Sequence, residues 1–149
     1  MNNDYLQHFT SDDADVIKAQ QYPDMSEDEI LGMISEWNSC SFQGKYFEMF
    51  AVLNEETIVG SISLFQHSRS VASIGVEIYE SYRRSGFAFE AMLLLMEHAK
   101  NLGYKIIQDQ VRTDNAASIR LHEKLSFESD HYVYRNENNK PVYLSLKAL

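Results

Sequence analysis

Apolar positions recur along this chain with two different periods, and the alternation between them predicts most of its elements. From Gly86 to Leu102 the spacing is helical, with Ala88, Met92, Leu95, Ala99 and Leu102 on one face and Glu90, Glu97 and Asn101 opposite. Gly103 supplies the stop. Val71 to Tyr79 instead alternates Ile74, Val76 and Ile78 with Gly75, Glu77 and Tyr79, which is the period of a half-buried strand. Tyr46–Leu53 and Ile58–Phe65 are rich in aromatic and branched residues around the polar turn Asn54-Glu55-Glu56-Thr57, so they predict a hairpin.

Capping residues place the shorter helices. Ser11 or Asp12 starts one over Ala14–Gln20, and Ser26 with Glu29 makes a capping box for another running to about Trp37. A strand over Lys105–Val111, a helix over Ala116–Leu125, and two closing strands near Asp130–Arg135 and Pro141–Leu146, around the turn Asn136-Glu137-Asn138-Asn139, complete the chain. The order is two helices, a strand meander, helix, strand, helix and two strands. That is a mixed α/β (α+β) class with a largely antiparallel sheet.

Composition narrows the picture. With 149 residues, 44% hydrophobic, 23% charged and two prolines, the chain fits one folded domain over residues 1–149. No run of about 18 apolar residues occurs, so no spanning helix is expected. Met1-Asn2-Asn3-Asp4 has no basic and apolar leader and Cys40 is the single cysteine, so a reducing cytoplasm is expected. Cys40 has no histidine near it in sequence and reads as structural.

Charge is split unevenly. Residues 1–60 carry twelve acidic side chains against Lys18 and Lys45, a net of −10, while residues 61–149 carry ten against eleven, a net of +1. An acidic chain repels nucleic acid and membrane phosphates, so neither is an expected partner. A cationic ligand is compatible with it, and so is a face that serves only solubility.

Two segments carry candidate chemistry. Tyr82-Arg83-Arg84-Ser85-Gly86-Phe87-Ala88 lies between a strand and the strongest helix, so its backbone N–H groups and the helix dipole converge on one spot fit for an anion. It is neither a Walker A loop, lacking Gly-Lys-Ser/Thr, nor a dinucleotide fingerprint, since Gly86 is its only glycine. Arg83 and Arg84 beside a helix start suit the phosphates of a cofactor better than nucleic acid. Downstream, Ala117, Leu121 and Leu125 fall on a predicted core face of their helix, while Asn115, Ser118 and His122 share a polar stripe.

Together these segments resemble the GNAT superfamily of acetyl-CoA-dependent N-acetyltransferases. Arg83-x-x-Gly86-x-Ala88 matches the family's R/Q-x-x-G-x-G/A loop, and Asn115-x-x-Ser118-x-x-Leu121-x-Glu123-Lys124-x-x-Phe127 matches its later helix. The resemblance implies a central mixed, mostly antiparallel twisted sheet of about six or seven strands flanked by four helices. It also implies that the amides of Arg84, Ser85, Gly86, Phe87 and Ala88, with Arg83, hold the CoA pyrophosphate. The pantetheine arm would pair with Val76 and Ile78, where the family's sheet splays, with Asn115 and Ser118 on the other side.

The implied reaction is direct attack of a primary amine on the thioester within a ternary complex. His122 stands where the family commonly has a tyrosine acid, and Glu77 is the candidate base. Tyr132 and Tyr134 are further candidates, and Ser126 replaces the family's usual glycine, so that turn is expected to differ locally. Acetyl-CoA and an amine acceptor are the expected partners, with no metal, and a homodimer is compatible with the sequence. A cationic small molecule, a protein N-terminus or a lysine could be the acceptor, and a non-catalytic acyl-CoA sensor is a further reading.

Overall fold

The computed structural model describes residues 5–149; Met1–Asp4, read above for the lack of a leader, lies outside them. Strand β1 (Leu6–Gln7) is followed by a 3₁₀ turn at Ser11–Asp13, helices α1 (Ala14–Gln20) and α2 (Glu27–Asn38), and strands β2 (Ser41–Phe42), β3 (Lys45–Asn54), β4 (Thr57–Gln66) and β5 (Val71–Ile78). Then come α3 (Phe87–Asn101), β6 (Ile106–Arg112), α4 (Ala116–Lys124), β7 (Glu128–Ser129), β8 (Tyr134–Arg135) and β9 (Pro141–Ala148). The sheet runs β1-β3-β4-β5-β6-β9-β7, with β2 added on β3 and β8 on β9. Among the described residues only β5 and β6 pair in parallel; the other pairs are antiparallel.

Helices cover both faces of this sheet. Alternate residues of the central strands, among them Phe50, Val52, Ile62, Leu64, Ala72 and Ile74, pack against Met92, Leu95 and Ala99 of α3. On the other face Ala51 meets Ile17 of α1 and Ile30 and Ile34 of α2. Met92, Leu95, Ile17 and Ile30 are fully enclosed, each contributing about 1.5–3 kcal/mol by leaving water.

Helix ends follow local chemistry. Ser26 and Glu29 form the expected capping box. Ahead of α1 the cap is Thr10 rather than Ser11 or Asp12, because Thr10 and Asp13 bond reciprocally and set a 3₁₀ turn before the helix. Leu102 is exposed and not part of the core face: α3 closes with Gly103 at φ 102, Gly103 N–H on Lys100 C=O and Tyr104 N–H on Ala99 C=O, which turns Tyr104 inward instead. The same closure ends α4, where Phe127 N–H meets His122 C=O and Ser126 N–H meets Glu123 C=O with Ser126 at φ 64. Serine therefore keeps the glycine-type turn rather than altering it. Residues 130–133 run outside any strand, contrary to expectation, with Tyr132 and Val133 in solvent.

One irregularity shapes the rest. β5 pairs with β4 from Gly60↔Ile78 to Gln66↔Ala72, but with β6 only at Val71↔Ile106 and Ala72↔Ile107. Past that point the two parallel strands part. Gly60 is obligatory at the far end of the β4–β5 pair, since a Cβ there would stand 2.2 Å from the Glu77 carbonyl oxygen.

Candidate active site

The loop after β5 builds an anion cradle from unusual backbone. Arg84 takes φ 65 and Gly86 φ 83, and Gly86 then opens α3 without a side-chain cap. Free N–H groups at the start of α3 and its dipole face the same opening. No atom lies within 4 Å of where a Gly86 Cβ would project. Arg83 is anchored by its Nε on the Ile78 carbonyl at 2.9 Å, which ties the cradle to the end of β5.

A groove of ≈ 640 Å³ extends from this cradle between the parted strand β5 and helix α4. Ten of the twelve residues expected from sequence line it: Val76, Glu77, Ile78, Arg83, Arg84, Gly86, Phe87, Ala88, Asn115 and Ser118. Odd-numbered residues of β5 bond toward β4, as Tyr79 N–H does to Val59 C=O at 2.8 Å, so the backbone groups of Val76 and Ile78 point into the groove. Asn115 caps α4 by accepting from Ser118 N–H at 3.0 Å. Leu121 and Lys124 complete the α4 wall, with the Lys124 ammonium 4.4 Å from the centre of the Phe89 ring. Lys124 is a site cation that the motif contained but sequence reasoning did not single out. Ser85 and His122 lie outside this groove.

His122 departs from the expected stripe. It is buried beneath α4 while Ala117, expected in the core, is exposed, because the sheet under α4 presents a carboxylate. His122 Nε2 lies 2.9 Å from Asp109 Oδ2 and Nδ1 lies 2.8 Å from the Ser118 carbonyl oxygen, with Ser118 Oγ at 3.4 Å. A carbonyl and a carboxylate only accept, so both ring nitrogens face acceptors, an arrangement that favours the protonated ring. Burial pushes its pKa down, but the bonds to Asp109 and the Ser118 carbonyl outweigh that and raise it. Both N–H groups are thus committed inside the protein.

Asp109 went unremarked in the sequence. Its signal was a carboxylate at an inward position of β6, between the buried Ile107 and Val111. Its Oδ1 accepts from Ile74 N–H at 2.8 Å, taking a β5 donor just past the point where backbone pairing with β6 stops.

Glu77 is exposed at the groove and accepts from Gln21 Nε2 at 2.9 Å, while Tyr79 O–H donates to Gln21 Oε1 at 3.1 Å. Burial first, and the Glu77 charge second, push the Tyr79 phenol up to about 12. Tyr132 and Tyr134 stand in solvent, Tyr134 bonding Asp130 at 3.0 Å, and neither lines the groove. Among the described residues no group of three or more His, Cys, Asp or Glu side chains is arranged to hold a metal ion, and no helix is long and apolar enough to cross a membrane.

Comparison with known proteins agrees with this geometry. The model of the acetyltransferase (GNAT) domain matches residues 3–128. The SPbeta prophage-derived uncharacterized N-acetyltransferase YokL of Bacillus subtilis (strain 168) is 35% identical over 95 residues, 62% of this chain and 54% of that protein. The match thus spans about half the length of this curated relative. A chimera of the Vibrio cholerae spermidine N-acetyltransferase SpeG with hSSAT superposes with a TM-score of 0.78 at 15% identity, covering 96% of this chain and 94% of that one. RimL, a ribosomal L7/L12 alpha-N-protein acetyltransferase solved with coenzyme A, superposes with a TM-score of 0.80 at 17% identity, covering 97% and 93%. With a family model matched over most of its length and a sheet that parts where its two motif segments meet, this chain belongs to the GNAT acetyltransferase family.

Proposed function

We propose that this protein, as one domain over residues 1–149, is an acetyl-CoA-dependent N-acetyltransferase that acts in the cytoplasm on a primary amine of a cationic small molecule. The observation that carries the reading is the convergence of the Arg83–Ala88 cradle, the parted strand β5 at Val76 and Ile78, and the Asn115 end of α4 on one groove. Arg83, Arg84 and Lys124 give the groove cations for the phosphates, and the β5 amides and carbonyls match the amide-bearing arm of CoA.

In the reaction, the amine lone pair attacks the thioester carbonyl, the C–S bond breaks, and the ammonium gives up a proton while the departing thiolate gains one. Glu77 is the proton acceptor in this reading, held in place by Gln21. His122 acts as a strut that fixes Asp109 and the first turn of α4, since its ring nitrogens are taken up by Asp109 and the Ser118 carbonyl. The solved relatives include a spermidine and a protein α-N-terminal acetyltransferase; the strongly acidic N-terminal part of this chain favours the small cation.

Release of free thiol from acetyl-CoA against a panel of amines tests the reading. Tight CoA binding with no amine-dependent release would favour a sensor. Gly86→Ala should raise the CoA Kd roughly tenfold, because a residue with Cβ at φ 83 costs about 1–2 kcal/mol, which the free loop relieves by leaving the cradle conformation. Calorimetric titration that finds the Kd unchanged would remove the cradle from CoA binding. Glu77→Gln should shift the pH profile of turnover at saturating acetyl-CoA; an unshifted profile would eliminate Glu77 as the base.

A further inference from the structure

Helix α4 and the parted half of β5 form two walls of the cradle-side groove, and a run of three hydrogen bonds joins them. Ile74 N–H of β5 donates to Asp109 Oδ1 at 2.8 Å, Asp109 Oδ2 faces His122 Nε2 at 2.9 Å, and His122 Nδ1 faces the Ser118 carbonyl oxygen at 2.8 Å. Ser118 itself lines the groove, and its Oγ stands 3.4 Å from the same Nδ1. The middle of the run is a ring that gains or loses a proton near neutral pH.

Protonated, the ring donates at both nitrogens and every bond in the run is made. Nδ1 then takes nothing from Ser118 Oγ, whose O–H is left for a ligand in the groove. Without that proton the ring has a single N–H to offer. If it stays on Nε2 for Asp109, the lone pair of Nδ1 faces the Ser118 carbonyl oxygen, and the Ser118 hydroxyl is the donor within reach that relieves it. If it stays on Nδ1, the lone pair of Nε2 confronts a buried carboxylate, which is the costlier arrangement. Loss of the proton therefore loosens the first turn of α4 from Asp109 and turns the Ser118 hydroxyl from the groove to the ring.

The ring is buried but within reach of water. A cavity of ≈ 50 Å³ lies beside it, room enough for a water molecule, with Val111, Ile119 and Phe127 in its wall. The titratable groups around the ring are Asp109 of β6, Glu123 of α4, His131 of the segment after β7 and Tyr143 of β9. Burial pulls the pKa of the ring down, but the bonds to Asp109 and the Ser118 carbonyl outweigh this and leave it above the ordinary 6.5. The run of bonds is thus complete below about pH 6.5 and is lost as pH rises through the raised value.

We propose that Asp109 and His122 are positioning residues for the acyl donor, and that the proton on His122 sets how tightly the groove holds CoA, by fixing α4 against β5 and by leaving the Ser118 hydroxyl free for the ligand. The proposal rests on the reading of this groove as the CoA site. Thermodynamic linkage makes the effect reciprocal: whatever factor the proton adds to CoA affinity, bound CoA adds to the affinity of the ring for its proton. A ligand in the groove is thereby coupled to a ring that lies outside it.

Calorimetric titration of the full chain with acetyl-CoA in the absence of amine, from about pH 6.5 to about pH 9, tests this, with the His122 ring followed by NMR. The wild-type Kd should rise about fivefold or more over that range. This is opposite in sign to the effect of the ligand's phosphate, whose second ionisation near pH 6 strengthens binding as pH rises. Acetyl-CoA should raise the pKa of the ring to match, by about 0.7 for a fivefold change in Kd. His122→Gln should flatten the profile, Ser118→Ala should weaken binding at the acid end and reduce the slope, and His131→Gln should leave the slope in place. A wild-type Kd independent of pH, a ring pKa that acetyl-CoA does not move, a slope that persists in His122→Gln, or one that vanishes in His131→Gln would each overturn the proposal. If His122→Gln does not fold, the response of the wild-type ring to acetyl-CoA decides alone. Failure to bind acetyl-CoA at any pH would sink the CoA reading and this proposal together, whereas binding that ignores pH removes the proposal only.

Discussion

Ser126 sits at the end of α4 with φ 64, a conformation that costs a residue with a Cβ about 1–2 kcal/mol. The turn is held because the Ser126 and Phe127 amides cap α4 and Phe127 is buried in the core beneath it. Ser126→Gly should therefore stabilise the protein by about 1 kcal/mol, part of the gain being offset by the freer unfolded chain, and raise Tm by about 2–4 °C. A melting curve unchanged or lowered in that variant would mean the serine makes a compensating contact. Arg84 bears the same kind of strain at φ 65, but within the cradle, where the distortion aims backbone N–H groups at a ligand.

Among the elements, the tightest polar tie joins β3 to α3. Glu48 of β3 is buried and accepts from His98 of α3 at 2.7 Å, from His8 at 2.6 Å and from the Tyr46 hydroxyl at 2.5 Å. Burial alone would raise its pKa, but the hydrogen bonds from His98, Tyr46 and His8 outweigh this and hold it near 2. Because the folded-state value lies below the ordinary 4.5, this stabilisation is complete above about pH 4.5 and is lost as pH falls toward 2. His98→Ala should cost about 1.5–3 kcal/mol at neutral pH and move acid unfolding to higher pH. Circular dichroism followed down the acid limb checks it; a coincident limb for the variant would show that His98 adds nothing to the tie.

The same scale shows which elements the sequence revealed. Helix α3 was legible because its period spans several turns and Gly103 marks its end, and α1 and α2 because capping residues mark their starts. β1, β2 and β7 were not, since a two-residue strand displays no period and exists only through its partner. α4 misled in part: Leu125 is buried and Leu121 packs against the core as expected, but His122 faces inward as well. Its stripes were sorted on the assumption of an apolar floor, and the floor contains Asp109, so the face with His122 turned inward. The cradle was legible because it depends on local backbone, whereas the Asp109–His122 pair joins residues that only tertiary structure brings together.

Over the whole molecule, the acidic N-terminal part covers one face of the sheet with α1 and α2, and the more balanced remainder covers the other with α3 and α4. The sheet thus separates two electrostatic environments, and β5 and β6 part between them. Beyond Ala72 the second half of β5 is an edge in the middle of a sheet, with the backbone groups of Val76 and the N–H of Ile78 facing open space, the Ile78 carbonyl being taken by Arg83. A ligand whose amides satisfy them occupies the place of a missing strand. The folded state of this protein is then finished by a molecule it does not encode, and its resistance to unfolding becomes a gauge of how much of that molecule surrounds it.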